Sequence, residues 1–381
     1  MKNDVCINPV LLKWARETIG LSIEMAANKI NVDSDMLKKW EEGIIETPTK
    51  KIKKLSEVYK RPTTVFLMNN IPDENISKKF RQLLYSNINS FSTPTLMAIR
   101  KAIRIQTLAK DVLETSDNNF IKEITKLKLI DSYEKISEKL IESLGLNEDI
   151  ISKPKNVFEQ LNMWKNSIEA KGIYVLEVGF PVREAKGFAI YDRKVPVIVL
   201  NTNDYPHSRI FTLLHELSHF IYGEDAIDDQ YSLMNFSTDD KLEIKCNFLS
   251  GAVIVPSLYL KSKIKSLNLD IKNDIGSSLE VLARIFNVSQ QVILRRIFIS
   301  DYLNKDQFNS IDSDLRESFL HSEIKEKRKG GNFYVKFMKN NSRSFIYDVL
   351  EAYRVNKISH YNVMDYLNIK STTLASLENK L

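Results

Sequence analysis

His215, Glu216 and His219 stand in the run His-Glu-Leu-Ser-His. Side chains four residues apart share one face of a helix, so both imidazoles can reach a single metal ion. A glutamate directly after the first histidine is offset by about 100° and can reach a water on that ion. The chemistry this implies is hydrolysis: a metal-activated water, with a carboxylate to take its proton. The competing reading is a pair of hydrogen-bonded core histidines beside a surface glutamate. The apolar surroundings, Ser-Arg-Ile-Phe-Thr-Leu-Leu before the motif and Phe-Ile-Tyr-Gly after it, predict a buried helix ended by Gly223. Histidines in so apolar a helix need partners, which favours the metal.

Two histidines leave a catalytic zinc one protein ligand short, since such sites commonly use three and keep one position for water. The candidates downstream are Glu224, Asp225, Asp228, Asp229, Asp239, Asp240 and Glu243. The first four sit in a loop that reads as solvated. Glu243 opens a second apolar helix, KLEIKCNFLSGAVIV, stopped by Pro256, and a packed helix gives the rigid geometry a metal wants. Cys246 is a softer alternative ligand whose neighbours suggest ordinary burial, and Asn247 is a candidate to orient the site from behind the ligands. His207, Tyr191 and Tyr222 are candidate donors to a developing oxyanion, each with a plainer reading as core or surface.

Upstream, a helix over 155–165 precedes the strand-forming run IYVLEV, then FAIYD and VPVIVLN, joined through Asp192-Arg193-Lys194 as a hairpin. Three strands before the motif helix predict an α+β domain with an antiparallel sheet, whose open edge could pair with an extended peptide.

Residues 8–67 read as a small all-helical head. Asn8-Pro9 opens the first helix and Gly20 ends it; Ser22 caps the second, and Asn31-Val32-Asp33 makes the turn into a third that carries Trp40 inward and stops at Gly43. Helix, short turn, helix is a DNA-reading geometry. Asp33 and Asp35 at the start of the reading helix repel phosphates, whereas Lys38, Lys39, Lys50, Lys51, Lys53 and Lys54 attract them, so an interaction domain that never reads bases competes with DNA contact through residues 22–54. NNIPDEN marks a boundary near residue 70. A long helix follows from Pro94 to about Thr115, with Ser92 or Thr93 as cap and Ile105, Leu108 and Val112 as its apolar stripe. One or two more helices fill 120–148, as braces for the next domain or as a substrate-docking surface.

The chain has 381 residues, 43% apolar, with a formal charge of +6, too mild for its size to imply nucleic acid by itself. Cys6 and Cys246 give no disulfide framework, no signal-peptide pattern opens the chain, and the longest apolar stretch is far too short for a bilayer. A cytoplasmic protein without membrane contact is expected.

Taken together, residues 8–256 resemble the ImmA/IrrE family of metallopeptidases joined to an XRE-type helix-turn-helix. The likeness is carried by NPVLLKWARETIGLSIEMAANKI with LKKWEEG, by YKRPTTVFL, by RIFTLLHELSHFI, and by EIKCNFLSGAVIVP. The resemblance implies a zincin-like fold with His215 and His219 as zinc ligands, Glu216 as base and Glu243 as third ligand. It also implies a link to cleavage or inactivation of repressor-type regulators. Residues 330–377 resemble the terminal segment of longer members, a hairpin-like piece leading into two helices with Phe345, Val349, Leu350, Val363 and Leu367 as core. His360 there reads as a cap or surface residue.

The expectation is a multidomain chain: an all-α helix-turn-helix head over 1–70, a helical linker over 71–150, an α+β zincin-like metallopeptidase domain over 151–300 and a small C-terminal module over 301–381. Its expected function is zinc-dependent cleavage of a protein regulator. The alternative is a DNA-binding transcriptional regulator whose metal site is structural or sensory. Paired half-sites would call for a homodimer, although no residue demands one.

Overall fold

The computed structural model describes residues 7–71, 91–113, 117–222, 240–320 and 333–378. The chain divides into two units, Met1–Thr107 with Gly179–Glu184, and Leu108–Val178 with Ala185–Leu381.

In the first unit, α1 (Pro9–Glu17), α2 (Ile23–Ile30), α3 (Ser34–Glu41) and α4 (Ile52–Tyr59) form the head. Each start has a chemical cause. Asn8 accepts from Val10 N with Pro9 at the first helical position; Ser22 accepts from Met25 N; Asp33 accepts from Asp35 N. Asn31 takes the left-handed conformation, φ 59°, that turns α2 into α3. Leu11, Leu12, Ala26, Ile30, Leu37, Trp40 and Leu55 fill the centre. Inside it Arg16 grips Glu41 twice, Nε to Oε1 and Nη2 to Oε2, both at 2.8 Å, and donates to Leu21 O at 2.7 Å. This buried fork ties α1 to α3. Asn8 donates to Met68 O and Asn69 O at 3.0 Å, closing the head on the segment after Thr63–Leu67. The long helix α5 (Thr93–Val112) begins where the Glu184 carboxylate accepts from Ser92 N at 3.0 Å and Thr95 Oγ1 at 2.5 Å.

In the second unit, α6 (Asn119–Ile124), α7 (Tyr133–Ser143), α8 (Glu148–Ile151) and α9 (Val157–Glu169) lead to the strands β1 (Tyr174–Val178), β2 (Gly187–Ile190) and β3 (Val197–Asn201). Then come α10 (Pro206–Tyr222), α11 (Asp240–Ile254), α12 (Ser257–Ser266), α13 (Ile275–Phe286), α14 (Gln290–Ile299), α15 (Lys305–Leu320) and α16 (Phe333–Asn341). Three helices close the described chain: α17 (Arg343–Arg354), α18 (His360–Leu367) and α19 (Ser371–Glu378).

The sheet order is β1-β3-β2, and only the β2–β3 hairpin is antiparallel; β1 runs parallel to β3, with Tyr174 opposite Val197. The expectation of an antiparallel sheet is therefore corrected to a mixed one. The reason lies in β3, whose Val-Ile-Val-Leu-Asn is buried throughout. A continuous apolar strand belongs in the middle, with a neighbour on each side. Asp192 Oδ1 accepts from Lys194 N and Val195 N, which makes the hairpin turn and gives β2 one edge of β3. The other edge is left to β1.

Strand alternation puts Val175, Ala189, Ile198 and Leu200 on one face, in one core with Leu161, Trp164 and Ile168 of α9 and Ile210, Leu213, Leu214 and Leu217 of α10. On the other face Tyr174 meets the Phe345 ring edge-on at 5.8 Å and donates to Asp348 Oδ2 at 2.6 Å. The C-terminal helices thus cover the second face of the sheet. Phe345, Val349, Leu350, Val363 and Leu367 are buried as expected. Residues 333–341 are helical, so the hairpin-like reading fails over them: Phe337 points inward while Val335 remains 53% exposed, a one-sided helical pattern.

Candidate metal centre

The motif helix α10 is held to the sheet at its first turn. Arg209 donates to Glu177 Oε2 on β1 at 2.8 Å, and Lys165 of α9 meets Glu177 Oε1 at 2.5 Å. Burial pushes the Glu177 carboxyl up, but Lys165, Lys339 and Arg209 outweigh it and hold it below the usual carboxylate range. One turn before the motif, β2 comes against the helix. A side chain at Gly187 would meet Thr212 Cγ2 at 2.5 Å and Val199 O at 2.7 Å, so glycine alone fits that approach.

Helix α11 crosses α10 at small polar residues. Ser218 Oγ donates to Leu214 O at 2.7 Å and Ser250 Oγ to Cys246 O at 2.6 Å, each satisfied within its own helix, and the two hydroxyls lie 3.4 Å apart. This close crossing brings Glu243 onto the histidines. His215 Nε2 and His219 Nε2 are 3.1 Å apart; Glu243 Oε2 is 3.1 Å from the first, and its Oε1 is 3.3 Å from the second. His215, His219 and Glu243 are the three side chains, among the described residues, grouped so that they could hold a metal ion. Glu216 is 2% exposed, and its charge acts on both His219 and Cys246.

Behind the ligands, Cys246 Sγ lies 3.6 Å from His219 Nδ1 and is fully buried. Cys246, rather than Asn247, meets the ligand ring from behind. The signal was present in the sequence: position 246 is three residues after Glu243 and shares its face. Burial opposes a charged His219 ring, but the contacts with Cys246 and Glu243 prevail and push it up to about 11. The same imidazole contacts, His215 first, draw the Glu243 carboxyl down to about 2. Burial raises the Cys246 thiol.

The other candidates either stand apart from this cluster among the described residues or lie outside them. Gly223, Glu224, Asp225, Asp228, Asp229 and Asp239 lie outside the described residues, and Asp240 opens α11. His207 is exposed and its Nδ1 bonds Asn287 O at 2.6 Å. Tyr191 packs edge-on against Phe220 at 5.5 Å, and Tyr222 lies under Lys245 at 5.9 Å.

Residues 168–298 match the family model of the IrrE N-terminal-like domain, a peptidase family, and residues 12–66 match a helix-turn-helix model. The chain has the ImmA/IrrE architecture with an N-terminal helix-turn-helix. No curated protein and no solved structure matched it. The IrrE-like segment contains α10 and α11 whole, and with them all four residues of the centre.

The donor set fits a divalent cation. Ligand bonds of about 2.0–2.1 Å at tetrahedral angles separate donor atoms by about 3.3 Å, close to the 3.1, 3.1 and 3.3 Å found here. Glu243 Oε1 is buried and its one close polar neighbour, His219 Nε2 at 3.3 Å, makes no aligned hydrogen bond to it, an expensive state for a carboxylate oxygen unless a cation faces it.

Proposed function

We propose that this chain is a zinc-dependent endopeptidase that cuts a protein regulator of the repressor type. In that reading 1–70 is the helix-turn-helix head, 71–150 the helical linker, 151–300 a zincin-like catalytic domain and 301–381 a C-terminal module. The observation that carries it is the convergence of His215, His219 and Glu243 from two packed helices, with Glu216 buried beside them. Two imidazoles and one carboxylate favour zinc over harder ions. Zinc held there would lower the pKa of a water and polarise a peptide carbonyl.

Glu216 takes the proton of the attacking water and returns it to the departing amine, a role that suits a carboxylate shielded from bulk solvent. His215, His219 and Glu243 serve as ligands. Cys246 Sγ fixes the plane of the His219 ring. Glu177, through Arg209, holds the first turn of α10 against the sheet and so keeps the motif in register with α11. The helix-turn-helix head would bring the enzyme to DNA through residues 22–54 or to a regulator bound there, and a homodimer would suit paired half-sites. Among the described residues no helix is long and apolar enough to cross a membrane, and a cytoplasmic setting fits such a substrate.

The test is metal analysis together with cleavage of co-encoded repressor candidates, wild type beside Glu216→Gln. The variant should keep its zinc and lose roughly 10²–10⁴ in rate, the usual worth of a general base. Equal cleavage by both forms would remove Glu216 from the chemistry. Metal retained with no cleavage of any candidate, and operator binding indifferent to Glu216→Gln, would turn the reading toward a metal-bearing DNA regulator.

A further inference from the structure

The helical corner of the head recurs at the other end of the chain. Residues 22–41 and 359–378 align without a gap. Ser22 caps α2 by accepting from Met25 N, and Ser359 caps α18 by accepting from Asn362 N. Asn31 and Asn368 end those helices in the left-handed conformation, at φ 59° and 50°. The next residue closes the same backbone bond in each, Val32 N to Ala27 O at 3.0 Å and Ile369 N to Met364 O at 2.9 Å. The inward positions also correspond: Ala26, Ile30, Leu37 and Trp40 in the head answer to Val363, Leu367, Leu374 and Leu377, all buried. The first of these corners lies within the segment that matches the helix-turn-helix model.

A similar corner joins α13 to α14 through Asn287, φ 50°, and shows what a purely structural version looks like. Its second helix is sunk into the core, with Arg296 2% exposed and bonded to Val255 O, Glu134 and Ser257. The C-terminal corner is different. Lys370, Ser371, Thr372 and Ala375 are exposed along the start and outer face of α19. His360 spans the corner, with Nδ1 toward Tyr353 Oη and Nε2 toward Ser371 Oγ, each at 3.3 Å, which fixes the start of α18 against the start of α19.

The charge pattern separates the two ends. In a helix-turn-helix the starts of both helices approach the nucleic acid. The head carries carboxylates at three such positions, Glu24, Asp33 and Asp35; the C-terminal corner has Tyr361, Lys370 and Thr372 in their places. Tyr361 is 75% exposed, as a group awaiting a phosphate or sugar would be. We propose that residues 359–378 form a second helix-turn-helix that binds duplex DNA, with the start of α19 in the groove and Tyr361 and Lys370 on the backbone. At its helix starts this end lacks the carboxylates that repel phosphate at α3, its own acids, Asp365 and Glu378, standing farther along the two helices.

The experiment is fluorescence anisotropy of a mixed-sequence DNA duplex with the full, zinc-loaded chain across a salt series. Lys370→Glu with Thr372→Glu should weaken binding roughly tenfold at low salt and lower the salt slope by about one. Thr372→Lys should tighten binding. Lys38→Glu with Lys39→Glu in the head is the comparator. The proposal is overturned if the comparator alone reduces binding, if Thr372→Lys changes nothing, or if the folded wild type ignores duplex at low salt. Zinc content, read on every sample, keeps this outcome separate from the fate of the peptidase reading.

Discussion

Helices α2 and α3 of the head and helices α10 and α11 of the second unit are both pairs packed closely through small residues, and they place their polar groups oppositely. The head pair turns Ala26, Ala27 and Ile30 inward and leaves Asp33, Asp35, Lys38 and Lys39 outside. The other pair buries its chemistry: His215 is 6% exposed and Glu216 2%, with Ser218, Ser250 and Cys246 at 0% beside them. A solvated polar face can serve any partner of complementary charge. Polar groups sealed between apolar helices are tolerated only when each finds a partner, so their presence is itself a statement about what must be bound.

The largest way to break this contrast is to remove a partner of the buried histidine, the half-buried Glu243. Glu243→Gln keeps the size of the side chain and loses the charge that balances a cation. It should strip stoichiometric zinc from the purified protein and abolish cleavage, a deeper loss than Glu216→Gln, which keeps the metal. Zinc retained at full occupancy would mean that Glu243 is not a ligand. In the head, Arg16→Ala leaves Glu41 as a buried, unpaired charge and should cost about 3–5 kcal/mol, read by denaturant unfolding through Trp14 and Trp40. Replacing both partners, Arg16→Met with Glu41→Leu, should restore most of that loss, because an apolar pair of similar volume has no charge to desolvate. If the double variant is as unstable as Arg16→Ala, the fork does more than neutralise itself.

The same contrast sets what could be read in the sequence. The closeness of His215 to His219 was legible because helical spacing puts them on one face before any tertiary contact forms, and the approach of Glu243 was legible from its place at the start of a second apolar helix. Caps were legible for the same reason: Asn8, Ser22 and Asp33 act on backbone groups two or three residues away. The pairing of β1 with β3 was not, since strands that are apolar on both faces carry no alternation to set their order. The Arg16–Glu41 fork and the Glu177 cluster were not legible either, because their partners are separated by 25 residues in the first and by 12 and 32 in the second. The likeness between the two end corners lies in backbone conformation at Asn31 and Asn368 and in the burial of dissimilar side chains such as Trp40 and Leu377. Letter-by-letter comparison of the sequence does not show it.

The smallest effect sharpens the comparison most. Cys246 touches neither a substrate nor a metal position; it reaches the far nitrogen of His219 at 3.6 Å. If it holds that ring, Cys246→Ala should lower zinc affinity by roughly 10–100-fold in a chelator competition, the usual range for a residue that orients a ligand from behind. Cys246→Ser, whose hydroxyl can still accept from Nδ1–H, should recover part of that affinity. Lost packing would act differently. It would lower the unfolding midpoint of the metal-free protein in both variants and leave their affinities for zinc alike. A ranking of wild type above serine above alanine for zinc, with equal metal-free stabilities, assigns the thiol to positioning. Equal zinc affinities in all three reduce Cys246 to a filler of the space between α10 and α11.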